Sequence, residues 1–204
     1  HGVAHVPAFL KEHKIPAGTF DDADILKELN RKIEEKFAVK TAVKTVMNYQ
    51  VYLNDKNIAE QNKSKDEIID FVIDRLKEKD FIINAFELDE VMEAALPAPQ
   101  REMMINGYNP KRSGDIEFTF KSGYFDGGTK GTTHGLWNPY DAHIPCVFFG
   151  WGVKPGKTNR ETYMTDIAPT LAALLKIQMP NGCVGKVITE LIKQILAKDK
   201  QSKI

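Results

Sequence analysis

The apolar residues of this chain switch repeatedly between helical and extended spacing, and that alternation confines the chain to layered α/β folds. Ile25, Leu29, Ile33 and Phe37 recur every fourth residue, and Asp21 or Asp22 can cap the helix they predict. Ser64-Lys65-Asp66-Glu67 is a capping box, followed by the stripe Ile68, Ile69, Val72, Ile73 and Leu76. Residues 45–53, 81–86 and 115–120 are rich in β-branched and aromatic side chains and read as strands, the last half-buried. Asn54-Asp55-Lys56-Asn57 has turn chemistry and predicts a short hairpin. A short helix is expected over 88–96, closed by Pro97-Ala98-Pro99. Residues 3–14 form an amphipathic stretch interrupted by Pro7. Further on, the apolar run 144–149 reads as a buried strand and precedes a helix opened by Thr165 or Asp166, with Pro169 tolerated in its first turn, and a helical tail over 187–197.

A chain of 204 residues can bury one substantial core, so residues 1–204 are expected to form one domain, with 41–120 as an inserted or peripheral subregion. Its 28 basic and 28 acidic residues cancel, which leaves no electrostatic footprint for a nucleic-acid polymer or an anionic membrane. No apolar run approaches the roughly 20 residues of a membrane span. Cys146 and Cys183 match neither a disulfide framework nor a four-cysteine zinc site. Cys146 reads as a small buried thiol, and pairing of the two is open only in an oxidising compartment. The opening His1-Gly2-Val3 has no Met, basic n-region or signal-type stretch, and an excised piece of a longer protein is expected.

The chemistry concentrates in residues 121–140, which hold Gly123, Gly127, Gly128, Gly131 and Gly135. That density suits backbone that turns sharply or approaches a ligand. Of the five histidines, His134 stands out in Gly131-Thr132-Thr133-His134-Gly135, where small neighbours leave the imidazole accessible, as a catalytic zinc ligand requires. His5 lies four residues after His1, a spacing that could pair them on a helix, and His13 in its Lys/Glu-rich surroundings is expected to face solvent.

Three motifs together resemble the C-terminal third of the alkaline phosphatase superfamily. They are Gly131-Thr132-Thr133-His134-Gly135, Tyr140-Asp141-Ala142-His143-Ile144-Pro145 and Thr165-Asp166-Ile167-Ala168-Pro169-Thr170-Leu171. The likeness is to bacterial phosphate-irrepressible alkaline phosphatases and their nucleotide pyrophosphatase/phosphodiesterase relatives. It is specific over residues 127–185 and looser over 1–40. The resemblance implies a three-layer α/β/α domain with a mostly parallel sheet, of which this chain is the C-terminal part. It implies two zinc ions in the intact enzyme and an incomplete site here. His134 matches a zinc ligand, and His1-Gly2 matches the end of an Asp-His-Gly motif whose histidine is another. Asp141 and His143 then fall where they could orient a ligand.

By the same resemblance the whole enzyme hydrolyses small phosphate monoesters through a covalent phospho-Thr or phospho-Ser intermediate, and is periplasmic or otherwise exported. The nucleophile belongs upstream, so no catalytic residue is assigned here and the chain alone is expected to be inactive. A phosphodiesterase, nucleotide pyrophosphatase or sulfatase of the same superfamily is the nearest alternative. A non-catalytic α/β binding domain with a merely structural His134 loop is the alternative of another class. The oligomeric state is not legible.

Overall fold

The computed structural model describes residues 2–150, 153 and 155–191, and the chain divides into units of residues 1–144 and 145–204. The first unit runs α1 (Pro7–Glu12), β1 (Gly18–Phe20), α2 (Asp22–Phe37), β2 (Val43–Met47), β3 (Gln50–Leu53), α3 (Asp55–Glu60), α4 (Lys65–Lys77), β4 (Ile82–Glu87), α5 (Ala98–Gly107), β5 (Ile116–Phe120), β6 (Tyr124–Asp126) and α6 (Pro139–Ala142). The helices with the clearest sequence signals form where their caps place them. The Asp21 carboxylate accepts the N–H of Ala23 at 2.7 Å to start α2, and the Ser64 hydroxyl accepts that of Glu67 at 3.3 Å to start α4. Their buried faces are Ile25, Leu29 and Ile33 on α2, and Ile68, Ile69, Val72 and Leu76 on α4.

Both helices pack on a four-stranded sheet of order β2-β3-β5-β4 in which every neighbouring pair is antiparallel. The expected α/β class is therefore present, but the expectation of mostly parallel pairing holds only for the small sheet made by β1 and β6. The reason lies in the connections. Residues 45–53 are two strands, β2 and β3, joined through Asn48 (φ 53°) and Tyr49 (φ 67°). A two-residue turn with both residues left-handed can join only antiparallel strands. Tyr49 carries no turn signal, and its ring is held by Phe120 at 4.8 Å and Trp137 at 6.1 Å between centroids. Asn54, read above as the hairpin turn, instead caps α3 by accepting the N–H of Asn57.

A second difference concerns residues 88–96, which form consecutive turns rather than a helix, while the helix α5 begins just after Pro97. Proline is compatible with a first helical turn, so Pro97 and Pro99 open a helix here rather than close one. Leu88, Val91, Ala94 and Leu96 are still buried, in a small cluster with Phe86.

Strand β5 is buried along its whole length, polar positions included. Ile116, Phe118 and Phe120 belong to the main core, while Glu117 is only 6% exposed and Thr119 only 3%. Burial pushes the Glu117 carboxyl up to about 7 from an ordinary 4.5, against the opposing effect of a hydrogen bond from the Gln50 side chain. The folded state thus holds this proton more tightly than the unfolded chain, so stability falls as pH rises from 4.5 to 7 and then levels. Glu117→Gln should remove up to about 3 kcal/mol of that loss. Urea unfolding of the chain at pH 5 and pH 8 checks this: the wild type should weaken at pH 8 by more than the variant does.

In the second unit a 3-10 turn (Met164–Asp166) leads into α7 (Ile167–Leu175). The Asp166 carboxylate accepts the N–H groups of Lys186 at 2.7 Å and Tyr163 at 3.1 Å. Burial opposes ionisation of Asp166, but these two donors outweigh it and hold the carboxyl below its usual range. The Thr170 hydroxyl donates to the Asp166 carbonyl at 2.6 Å and accepts the N–H of Ile188 at 2.9 Å. The run 144–149 does not form a strand, and Val147 and Phe149 are 81% and 101% exposed. Cys146 is exposed rather than buried, because among the described residues the run pairs with no strand. The expected tail helix over 187–197 lies largely outside the described residues.

Candidate functional site

Parallel strands β1 and β6 end together, with Phe20 opposite Asp126, and the glycine-rich loop leaves from that carboxyl-terminal end. Open α/β sheets place their ligands at this end of parallel strands. Residues 127–138 carry no helix or strand, and His134 is exposed within them. The next residue, Gly135, has φ +107°, a conformation that side chains of L-residues rarely adopt. A Cβ there would meet nothing within 4 Å, so the backbone path, not crowding, calls for glycine.

The loop is exposed at its tip and fixed at its flanks. Before His134, the Thr132 hydroxyl donates to the carbonyl of Ala4 at 2.5 Å, a bond spanning 128 positions of sequence. After it, Leu136 is buried and its N–H donates to the Asp141 carboxylate at 2.5 Å. Trp137 packs on Phe120, 5.1 Å between ring centroids. The Tyr140 hydroxyl accepts the Gly123 N–H at 3.1 Å and the Asn138 side-chain amide at 2.9 Å. Gly2 lies so close to α6 that a Cβ would fall 2.1 Å from the Tyr140 carbonyl. Residues 2–4 are therefore fastened beside both flanks of the loop.

Carboxylates crowd this end of the small sheet. The Asp22 carboxyl is pushed up to about 6, chiefly by burial and then by Asp126 and Asp21. Its Oδ1 atom is buried without a hydrogen-bond partner. The Tyr49 hydroxyl is pushed up to about 12, first by burial and then by Asp126, Asp22 and Asp141. The local field is negative and favours a cation over an anion.

Among the sequence-predicted residues, His134 is placed as an accessible imidazole, and His1 lies outside the described residues. Asp141 is 7% exposed and shapes the loop through Leu136. His143 is exposed, and its backbone N–H closes α6 on the Pro139 carbonyl at 3.0 Å. His5 and His13 are exposed, and each makes a tilted ring contact with Phe9, at 5.3 and 4.1 Å between centroids, while His13 Nδ1 lies 2.8 Å from the Phe9 carbonyl. Among the described residues, no group of three or more His, Cys, Asp and Glu is placed to hold one metal ion. The described residues therefore hold no complete donor set around His134. Thr132 was missed by sequence reasoning: its hydroxyl resembles any other in the motif until the fold brings Ala4 to it.

A fold like that of this chain is found in an alkaline phosphatase of known structure. Nearly the whole chain is similar in sequence to proteins named alkaline phosphatases. It is 46% identical over 193 residues to the alkaline phosphatase PafA of Elizabethkingia meningoseptica, covering 94% of this chain and 35% of that protein. It is 43% identical over 196 residues to the alkaline phosphatase PhoV of Synechococcus elongatus, covering 95% and 34%. A protein of Myroides odoratus named a calcium-transporting ATPase is 50% identical over 196 residues, covering 95% and 36%. The crystal structure of wild-type PafA superposes with a TM-score of 0.88 at 46% identity, over 93% of this chain and 36% of that one. No family model matches the chain. The chain spans about a third of the length of the curated relatives it matches. Among the described residues no helix is long and apolar enough to cross a membrane.

Proposed function

We propose that the whole protein is a zinc-dependent hydrolase of small phosphate monoesters, and that this chain supplies its C-terminal portion. One observation carries the reading: the exposed His134 imidazole stands in a glycine-flanked loop to which the segment following His1 is fastened. The similarity to two proteins named alkaline phosphatases supports it. His134 and His1 would each donate an imidazole nitrogen to zinc, and Asp141 would act at one remove by fixing the loop. When bound, a pair of zinc ions activates a nucleophile and stabilises a leaving oxygen. The chain's own part is to hold its imidazoles still and keep them accessible. The nucleophile, a Thr or Ser, would come from other parts of the protein, which would be exported or periplasmic.

Two histidines are at most two of the roughly six protein ligands that a pair of catalytic zincs takes. Purified and zinc-loaded, the 204-residue chain should therefore show no turnover of a nitrophenyl phosphate above controls, and measurable turnover by the chain alone would refute its partial role. Metal analysis of the full-length protein tests the zinc reading, since a binding domain would carry no stoichiometric zinc. Comparing phosphate monoesters, diesters and sulfate esters as substrates tests the specificity.

A further inference from the structure

Helix α7, with the sequence Ile167-Ala168-Pro169-Thr170-Leu171-Ala172-Ala173-Leu174-Leu175, contains no charged residue. It buries small side chains, Pro169, Thr170 and Ala172, and exposes larger ones: Leu171 is 46% and Leu175 65% exposed. Ala168 is exposed too, as is Met164 in the preceding 3-10 turn, at 70%. Residues 164, 168, 171 and 175 follow at steps of four, three and four, the period of one helix face. Soluble proteins seldom leave a continuous apolar stripe in water, and a helix without a charged face is ordinarily buried in a larger core. We propose that the stripe of Met164, Ala168, Leu171 and Leu175 is a docking surface, covered by an apolar face of the remaining part of the same protein. The inference rests on the reading above that this chain is one portion of a longer polypeptide.

The stripe is presented by a framework that its own unit supplies. The Asp166 carboxylate accepts the N–H groups of Tyr163 and Lys186, and the Thr170 hydroxyl links the Asp166 carbonyl to the Ile188 N–H. Arg160 pairs with Glu190 at 3.1 Å. A Cβ on Gly185 would fall 1.9 Å from the Thr165 carbonyl, so the segment after the helix lies tight against its start. Helix α7 is thus held by its small-residue side, which leaves the leucine side presented. Two observations select what covers it. Three relatives match 94–95% of this chain but are covered over only 34–36% of their own length, so most of each lies outside the matched part. The stripe also carries no charge, whereas surfaces that meet separate, transient partners combine apolar positions with a polar rim.

The test makes Leu171→Glu and Leu175→Lys, replacements of similar helix propensity, in both the 204-residue chain and the full-length protein. In the chain both positions face water, so its urea midpoint should stay where it is. In the full-length protein each variant should lower the midpoint markedly or prevent folding, because a charge is forced against an apolar face. Hydroxyl-radical footprinting reads the same surface without substitution: Met164, Leu171 and Leu175 should label readily in the chain and lose most of that labelling in the full-length protein. Equal labelling in the two proteins would overturn the proposal, as would a full-length protein indifferent to both substitutions. Equal destabilisation of the chain and the full-length protein would overturn it too, since the leucines would then stabilise their own unit. Protection in the chain together with sedimentation as a dimer would give the stripe to a second copy instead. Zinc content and turnover judge the hydrolase reading separately. Their absence with a protected stripe would remove that reading alone, and their presence with an exposed stripe would remove only the docking surface.

Discussion

Replacing His134 with Ala in the full-length protein should lower phosphate monoester turnover by about a thousandfold while leaving the fold intact. On the zinc reading proposed above, the magnitude follows from removing one imidazole from a metal centre that would contribute several kcal/mol of transition-state stabilisation, at about 1.36 kcal/mol per decade of rate. The intact fold follows from exposure: His134 stands in a loop outside both apolar clusters. Substitutions at such positions usually change stability by under about 0.5 kcal/mol. Turnover, zinc content and melting temperature should be measured together. Near-normal turnover with full zinc content would show that His134 is not a ligand. A large drop in melting temperature of the metal-free protein would instead show a structural role.

The opposite pattern is expected for Phe120→Ala. Phe120 is fully buried, and its ring lies 5.0 Å from Phe20, 4.8 Å from Tyr49 and 5.1 Å from Trp137. Truncating such a ring loses its burial and leaves a cavity, together costing about 3–5 kcal/mol. That is a large fraction of the roughly 5–15 kcal/mol that holds a domain folded. Urea unfolding should shift to a markedly lower midpoint. Because Trp137 lies three residues after His134 and rests on Phe120, its fluorescence should also change, reporting loss of support beneath the loop. A midpoint within experimental error of wild type would contradict the packing described here.

These two positions mark what could and could not be read in advance. His134 is conspicuous because glycines and threonines flank it, and small neighbours are a local signal. Phe120 reads only as one aromatic residue in a strand-like run, and that it supports the site becomes visible when Trp137 folds across it. The hairpin shows the same limit. Asn48-Tyr49 is the turn, yet its driving force is the burial of the Tyr49 ring among Phe20, Phe118, Phe120 and Trp137, which is not a local property. At 144–149 the reverse happens: a strand-like run forms no strand, because strand formation depends on partners as well as on sequence.

By itself the sequence determined the starts of α2 and α4, their buried faces, the main strand segments and the glycine-flanked position of His134. All of these are set by residues within a few positions of one another, through caps, periodicity and backbone freedom. Tertiary structure alone decided that the larger sheet is antiparallel, that Glu117 is buried, and that Thr132 and Gly2 fasten the first residues beside the His134 loop. Each of those depends on groups brought together from distant parts of the chain, as the 128 positions between Ala4 and Thr132 illustrate. No pattern in the sequence encodes such a meeting, because the free energy that produces it comes from packing the whole core.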